Sequence, residues 1–179
     1  MDYSKGSNQF KNLIASHFTR RELKAGDFLY ESGDYSPFIY FLEKGLLRMF
    51  YYNEEGKEIT AWLTVEQNFV SAIGGPYSNQ PAKEYCQVVE DVVIYEIKFD
   101  AFEKLLEQPL GAKMTFYALS ELNQTLSRYL HFFKFHSAEE RYRALMDFAP
   151  DIINRVSLGQ IASFLGISQE TLSRIRGRI

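Results

Sequence analysis

Four side chains near the C-terminus carry the chemistry needed to read base edges. Arg174 has the planar fork that bonds guanine bidentately, Gln169 suits adenine, Glu170 can accept from cytosine N4, and Ser173 bonds either partner. Ser168 and Thr171 lie at the start of the same segment, and Arg176 and Arg178 beyond it are placed to reach phosphates. This set (Ser168, Gln169, Glu170, Thr171, Ser173, Arg174, Arg176, Arg178) lies off the apolar side of a helix whose inward positions are Leu172 and Ile175.

A second helix must position the first. Ser157 and Gln160 have capping-box spacing, which predicts a helix start. Ile161, Ala162 and Leu165 give that helix an apolar face, and the small Ala162 allows a close crossing. Gly166 falls where the chain must turn sharply, Ile167 packs into the turn, and Ser168 is an N-cap. Two short helices joined by a glycine turn form a helix-turn-helix, whose second helix enters the major groove. The competing reading is an ordinary helical hairpin with a solvated polar face. Charge distribution favours the first: the last twelve residues carry +2, and the rest of this −3 chain is acidic.

Upstream, residues 1–22 have helical spacing of Phe10, Leu13, Ile14 and Phe18. Short β-prone runs follow at 27–31, 38–42, 46–52, 59–63, 86–89 and 92–97, separated by Gly-, Asn- and Asp-rich turns. Such spacing predicts a sandwich or barrel. Asp100 is an expected N-cap for a short helix, and Pro109 allows a restart. From 110 to 135 a long helix carries the stripe Met114, Ala118, Leu122, Leu126, Tyr129 and Phe133. The stripe either packs on the β unit or pairs with a second copy of itself. A small roll offers limited surface to a helix of this length, which favours a dimer interface. The expected organisation is a β-roll at 1–109, a dimerisation helix at 110–135 and a helix-turn-helix unit at 136–179.

Composition excludes several classes. The lone Cys86 rules out an internal disulfide or a cysteine-held metal cluster. No histidine lies between Leu23 and Ile97, so a roll-type metal enzyme lacks ligands, and no nucleophile–base pair or phosphate loop is evident. The scattered His17, His131 and His136 suggest no haem site. No signal peptide or membrane span is apparent, so a cytoplasmic, non-enzymatic protein without metal is expected. Phe50, Tyr52, Trp62, Phe69, Tyr77 and Lys83 could line an apolar effector pocket, or belong to the roll's core and surface.

The segment Ile161–Arg174, with its Glu-x-x-Ser-Arg ending at 170–174, resembles the recognition motif of the Crp/Fnr family of bacterial transcription regulators, in its Fnr branch. Residues 24–34, 38–45 and 53–58 resemble turns and strands of that family's cyclic-nucleotide-binding β-roll. The resemblance implies an α+β chain: a double-stranded β-helix of jelly-roll type, a long dimerisation helix and an all-α helix-turn-helix. It implies a homodimer on a palindromic operator, with double-stranded DNA, a second copy and RNA polymerase as partners and no membrane. The family's nucleotide pocket uses a Gly-Glu pair and a following Arg-Ser/Thr-Ala stretch. Here the stretches read Asn68–Tyr77 and Pro81–Cys86, without that Glu or that Arg, so no cAMP response is expected. No iron–sulfur cluster is expected either. The chain stops after the recognition helix, where family members usually continue into a β-hairpin wing. An alternative is a sensing module that acts on a protein partner and has lost DNA binding.

Overall fold

The structure, a computed structural model, describes residues 3–73 and 80–178. Helix α1 (Tyr3–His17) leads into eight strands among the described residues. These are β1 (Thr19–Leu23), β2 (Phe28–Tyr30), β3 (Phe38–Lys44), β4 (Leu47–Tyr52), β5 (Glu58–Thr64), β6 (Asn68–Val70), β7 (Tyr85–Val88) and β8 (Val92–Lys98). They form two antiparallel four-stranded sheets, ordered β1-β8-β3-β6 and β2-β7-β4-β5. Helices α2 (Phe99–Leu106), α3 (Pro109–Phe135), α4 (Ala138–Phe148), α5 (Ile152–Arg155), α6 (Leu158–Phe164) and α7 (Gln169–Arg176) complete an α+β fold.

Between the sheets lies a core that includes Leu29, Leu42, Leu47, Val70, Cys86, Val88, Val92 and Ile94. Each of its aliphatic side chains contributes about 1.5–3 kcal/mol on burial. Strand β3 is buried along most of its length because both its faces are covered. Tyr40 and Leu42 point into the roll, while Ile39 and Phe41 pack with Leu13, Ile14 and Phe18 of the N-terminal segment and Phe102 and Leu105 of α2.

The six strands expected from the sequence are present, with ends moved by one or two residues. Besides the short strand β6, which was not among the expected runs, two features differ from expectation. The helix expected over 1–22 stops at His17, and residues 19–23 form β1 instead, paired with β8 from Thr19↔Glu96 to Leu23↔Val92. Its polar, exposed side chains carry no apolar alternation, and Arg21 is anchored by Glu96 at 2.7 Å. The second difference is the start of α2. Lys98, not Asp100, is its N-cap, without a side-chain capping bond, and Asp100 sits in the first turn, where a carboxylate favours the helix dipole.

The α2–α3 junction is tight. Gly111 is buried on α3, and a β-carbon there would overlap the backbone carbonyl of Leu105. Gly111→Ala is expected to destabilise the protein by about 1–3 kcal/mol, the usual penalty of overpacking, measured as a lowered urea midpoint.

Candidate nucleic-acid interface

Helices α6 and α7 are built as their caps dictate. The Ser157 hydroxyl accepts from the Gln160 amide at 3.3 Å, and the Gln160 side chain accepts from the Ser157 amide at 3.3 Å. The chain then turns at Gly166, whose φ of +68° is left-handed. Ser168 restarts the helix, its Oγ accepting from the Thr171 amide at 3.2 Å. Ile161, Ala162 and Leu165 of the first helix and its C-cap, with Leu172 and Ile175 of the second, are buried in one cluster.

That cluster uses the apolar side of α7 and leaves its polar side outward. Ser168, Gln169, Glu170, Ser173, Arg174, Arg176 and Arg178 are exposed, whereas Thr171 is half-buried and shares its hydroxyl with Ser168 at 3.1 Å. The Glu170 amide and the Ser168 hydroxyl hold the Glu170 carboxyl below its ordinary value, so it is an anionic acceptor at neutral pH. Arg174 Nε donates to the Glu170 carbonyl at 3.4 Å, and its remaining donors face outward.

On α3, Leu119, Leu122, Leu126 and Leu130 are 58, 49, 46 and 59 % exposed, a leucine-rich seam at spacings of three and four. The expected stripe divides. Leu122 and Leu126 belong to this seam, and Ala118 is half-buried beside it. Met114 instead packs with the α2 cluster of the same chain. Tyr129 donates to the Ala61 carbonyl at 3.1 Å and lies 4.8 Å from the Trp62 ring. Phe133 sits 4.5 Å from Tyr129 and 6.2 Å from Phe164. The C-terminal part of α3 is thus tied to β5 and α6, and these two aromatic rings are occupied within the chain.

The expected effector pocket does not assemble. Phe50 is buried against Tyr85 at 5.2 Å, beneath Arg48, and Tyr52 sits beside them on the face of β4 turned from the roll interior. Trp62 faces Tyr129, Lys83 is exposed, and Phe69 belongs to the other sheet, packed on Phe41 at 5.2 Å. Strand alternation and the division into two sheets separate residues that sequence order had grouped. Tyr77 lies outside the described residues.

Inside the roll, Ala72 and Ala82 are buried core residues, in the two stretches compared above with the nucleotide pocket. Beside them the Glu84 carboxyl is buried. Its Oε1 accepts from the Tyr30 hydroxyl at 3.0 Å and the Ile73 amide at 2.7 Å. Burial pushes the Cys86 thiol above its ordinary value, which suits an inert packing residue. Among the described residues no His, Cys, Asp and Glu cluster could hold a metal ion, and no helix is long and apolar enough to cross a membrane.

The last four helices rest on one end of the roll. Arg155 closes α5 and reaches Glu66 and Glu90 of the roll, at 2.6 Å to each. Burial pulls the Glu66 carboxyl upward, but the Arg155 guanidinium and the amides of Glu66 and Gly45 outweigh it, leaving the group below its ordinary range. A carboxylate depressed in the folded state stabilises that state above the unfolded value of about 4.3, and the contribution is lost as pH falls through the folded value. Urea midpoints of the wild type and Glu66→Gln are therefore expected to differ at pH 7 and to converge as pH falls below the ordinary carboxylate range.

Residues 20–109 match the cyclic nucleotide-binding domain family. The chain is 24 % identical to the transcriptional activator protein Anr of Pseudomonas protegens, over 87 % of this chain and 68 % of that protein. It is 23 % identical to an anaerobic regulatory protein of Haemophilus influenzae, over 96 % of this chain and 69 % of that one. Among solved structures, the c-di-GMP-responsive global regulator CLP of Xanthomonas campestris superposes with a TM-score of 0.74 at 17 % identity, covering 96 % of this chain and 90 % of that chain. With half its length matched and nearly all of it superposing on such a regulator, the chain belongs to the cyclic nucleotide-binding domain family and has the fold of the Crp/Fnr regulators.

Proposed function

We propose that the protein is a sequence-specific DNA-binding transcription regulator that acts as a homodimer on an inverted repeat, without catalysis. The observation that carries this reading is the outward set Gln169, Glu170, Ser173 and Arg174 on a capped helix whose other face is fully used by packing. Helix packing does not require those side chains, and their donors and acceptors match base edges in the major groove. The relatives named as transcriptional activator and regulatory protein support it. The open leucine seam of α3 supports pairing of two chains, which sets two reading helices about 34 Å apart on successive major grooves.

Cyclic AMP is not the effector in this reading. Ala72 and Ala82, buried in the two stretches that would have to bind it, offer a phosphate no donor side chain, and neither stretch carries an arginine. Lys83 is exposed and presents a point charge rather than a bidentate fork.

The test is selection of bound sequences from a random double-stranded DNA library at physiological salt, with no added nucleotide. The expected result is an enriched inverted repeat with half-sites one helical turn apart. Binding without enrichment of any sequence would overturn the sequence-specific reading. Enrichment that appears only on adding cAMP would overturn the effector statement.

A further inference from the structure

Three turns at one end of the roll form a seat for the helical unit. Leu46 after β3, Val65 after β5 and Val89 after β7 pack with Ile152, Val156 and Leu145, and Leu46 is completely buried there. Arg155 grips the rim of this seat. Its Nη2 donates to Glu66 Oε1 and Glu90 Oε1, both at 2.6 Å, its Nε to both Glu90 oxygens at 3.2 Å, and its Nη1 to Glu66 Oε2 at 3.2 Å. Glu66 is itself fixed by the Gly45 amide at 3.0 Å. A guanidinium fork can bridge two carboxylates in this way, whereas an ammonium cannot reproduce the geometry.

A second attachment lies on α6. Ser163 Oγ accepts from the Thr60 amide at 2.9 Å and donates to the Glu58 carbonyl at 3.3 Å, joining this helix to the edge strand β5. The docked pose leaves the reading face of α7 exposed, so docking does not hide it.

We propose that Arg155, Glu66 and Glu90 form a clamp that fixes the helix-turn-helix on the roll in its DNA-presenting orientation. They are then positioning residues for DNA recognition, although none belongs to the reading face. This inference rests on the DNA-reading function proposed above. The physical reason is preorganisation. A reading unit already held in one orientation gives up little freedom on binding, whereas a loosened unit must be ordered at the expense of affinity. Because two of the three charges sit on turns of the roll, Arg155 couples that end of the roll to the helical unit that presents the DNA interface.

The experiment pairs a distance measurement with a binding measurement. Spin labels on Glu54→Cys, in the roll, and Asp151→Cys, in the helical unit, report the docking; both positions are exposed, and the native Cys86 is buried. Arg155→Met keeps an apolar stem and removes the fork, and Glu66→Gln with Glu90→Gln removes the other side. The expected result is a narrow distance distribution in the labelled parent and a broad one in both variants. Affinity for the selected DNA is expected to fall at least about tenfold, with base preference unchanged. Combining all three substitutions is expected to add no further loss, because the residues act as one unit. A merely stabilising role would instead shift the urea midpoint without broadening distances in the folded state, and that result overturns the clamp. So does an unchanged or increased affinity in the loosened variants, the latter marking a restraint rather than a support. If the parent binds no DNA sequence, the reading function fails, and the distance arm still decides whether the clamp exists.

Discussion

Leu122→Glu combined with Leu126→Glu is expected to leave the protein monomeric and to weaken binding to an inverted-repeat site by about 10²–10⁴-fold. Both leucines are about half exposed in the single chain, so the substitutions remove little intrachain packing. In a paired seam they would bring four carboxylates into an apolar contact, where an unpaired charge is strongly disfavoured. The loss of affinity follows from geometry. Two half-sites engaged by one linked particle bind far more tightly than either alone, and a monomer keeps only the single-site term. Sedimentation velocity and a fluorescence-anisotropy titration on the selected operator check the two halves of the prediction. A variant that sediments as a dimer would place the interface elsewhere. Met114→Glu serves as the contrast: Met114 packs against the α2 cluster of its own chain, so it should lower stability before it alters association.

Arg174→Ala has the second largest expected effect. A bidentate arginine–guanine contact contributes about 1–3 kcal/mol of discrimination per half-site, so a symmetric operator loses roughly 2–6 kcal/mol if the two halves add. The loss should fall on one base pair in each half-site, whose preference relaxes while the others keep theirs. The exposed Arg178, one turn further along, should behave differently. Arg178→Ala should weaken binding evenly across sequences and reduce the slope of log affinity against log salt by about one for each phosphate left without its cation. Repeating the library selection with each variant separates the two. An even loss for Arg174→Ala would reassign it to the phosphate backbone.

Local signals were readable in the sequence. The caps at Ser157 and Ser168, the turn at Gly166 and the inward Leu172 and Ile175 each depend on neighbours within a few residues, and the structure forms them as the chain order suggests. The long helix was legible for the same reason. What escaped was set by distant partners. Strand β1 is polar and exposed, and exists because β8, some seventy residues later, pairs with it. The phase of the α3 stripe was ambiguous, since Met114 and Leu119 are both apolar, and only the position of α2 decides which faces the chain's own core. Phe50 and Phe69 look alike as aromatic pocket candidates, yet they lie in different sheets. Arg155 gave no signal at all. Its partners Glu66 and Glu90 are 89 and 65 residues away, and each alone reads as an ordinary surface charge.

The bond between Ser163 and β5 has a consequence for solubility. Strand β5 ends its sheet, and an end strand offers unpaired amides and carbonyls to any extended chain that meets it. In the docked state the Thr60 amide and the Glu58 carbonyl are taken by Ser163, and α6 lies along that edge. Each departure of the helical unit from the roll would open this edge to strand addition by another molecule. Undocking is therefore opposed by the loss of the docked interface alone, and long-lived undocked states would be drained from solution by strand addition rather than stored.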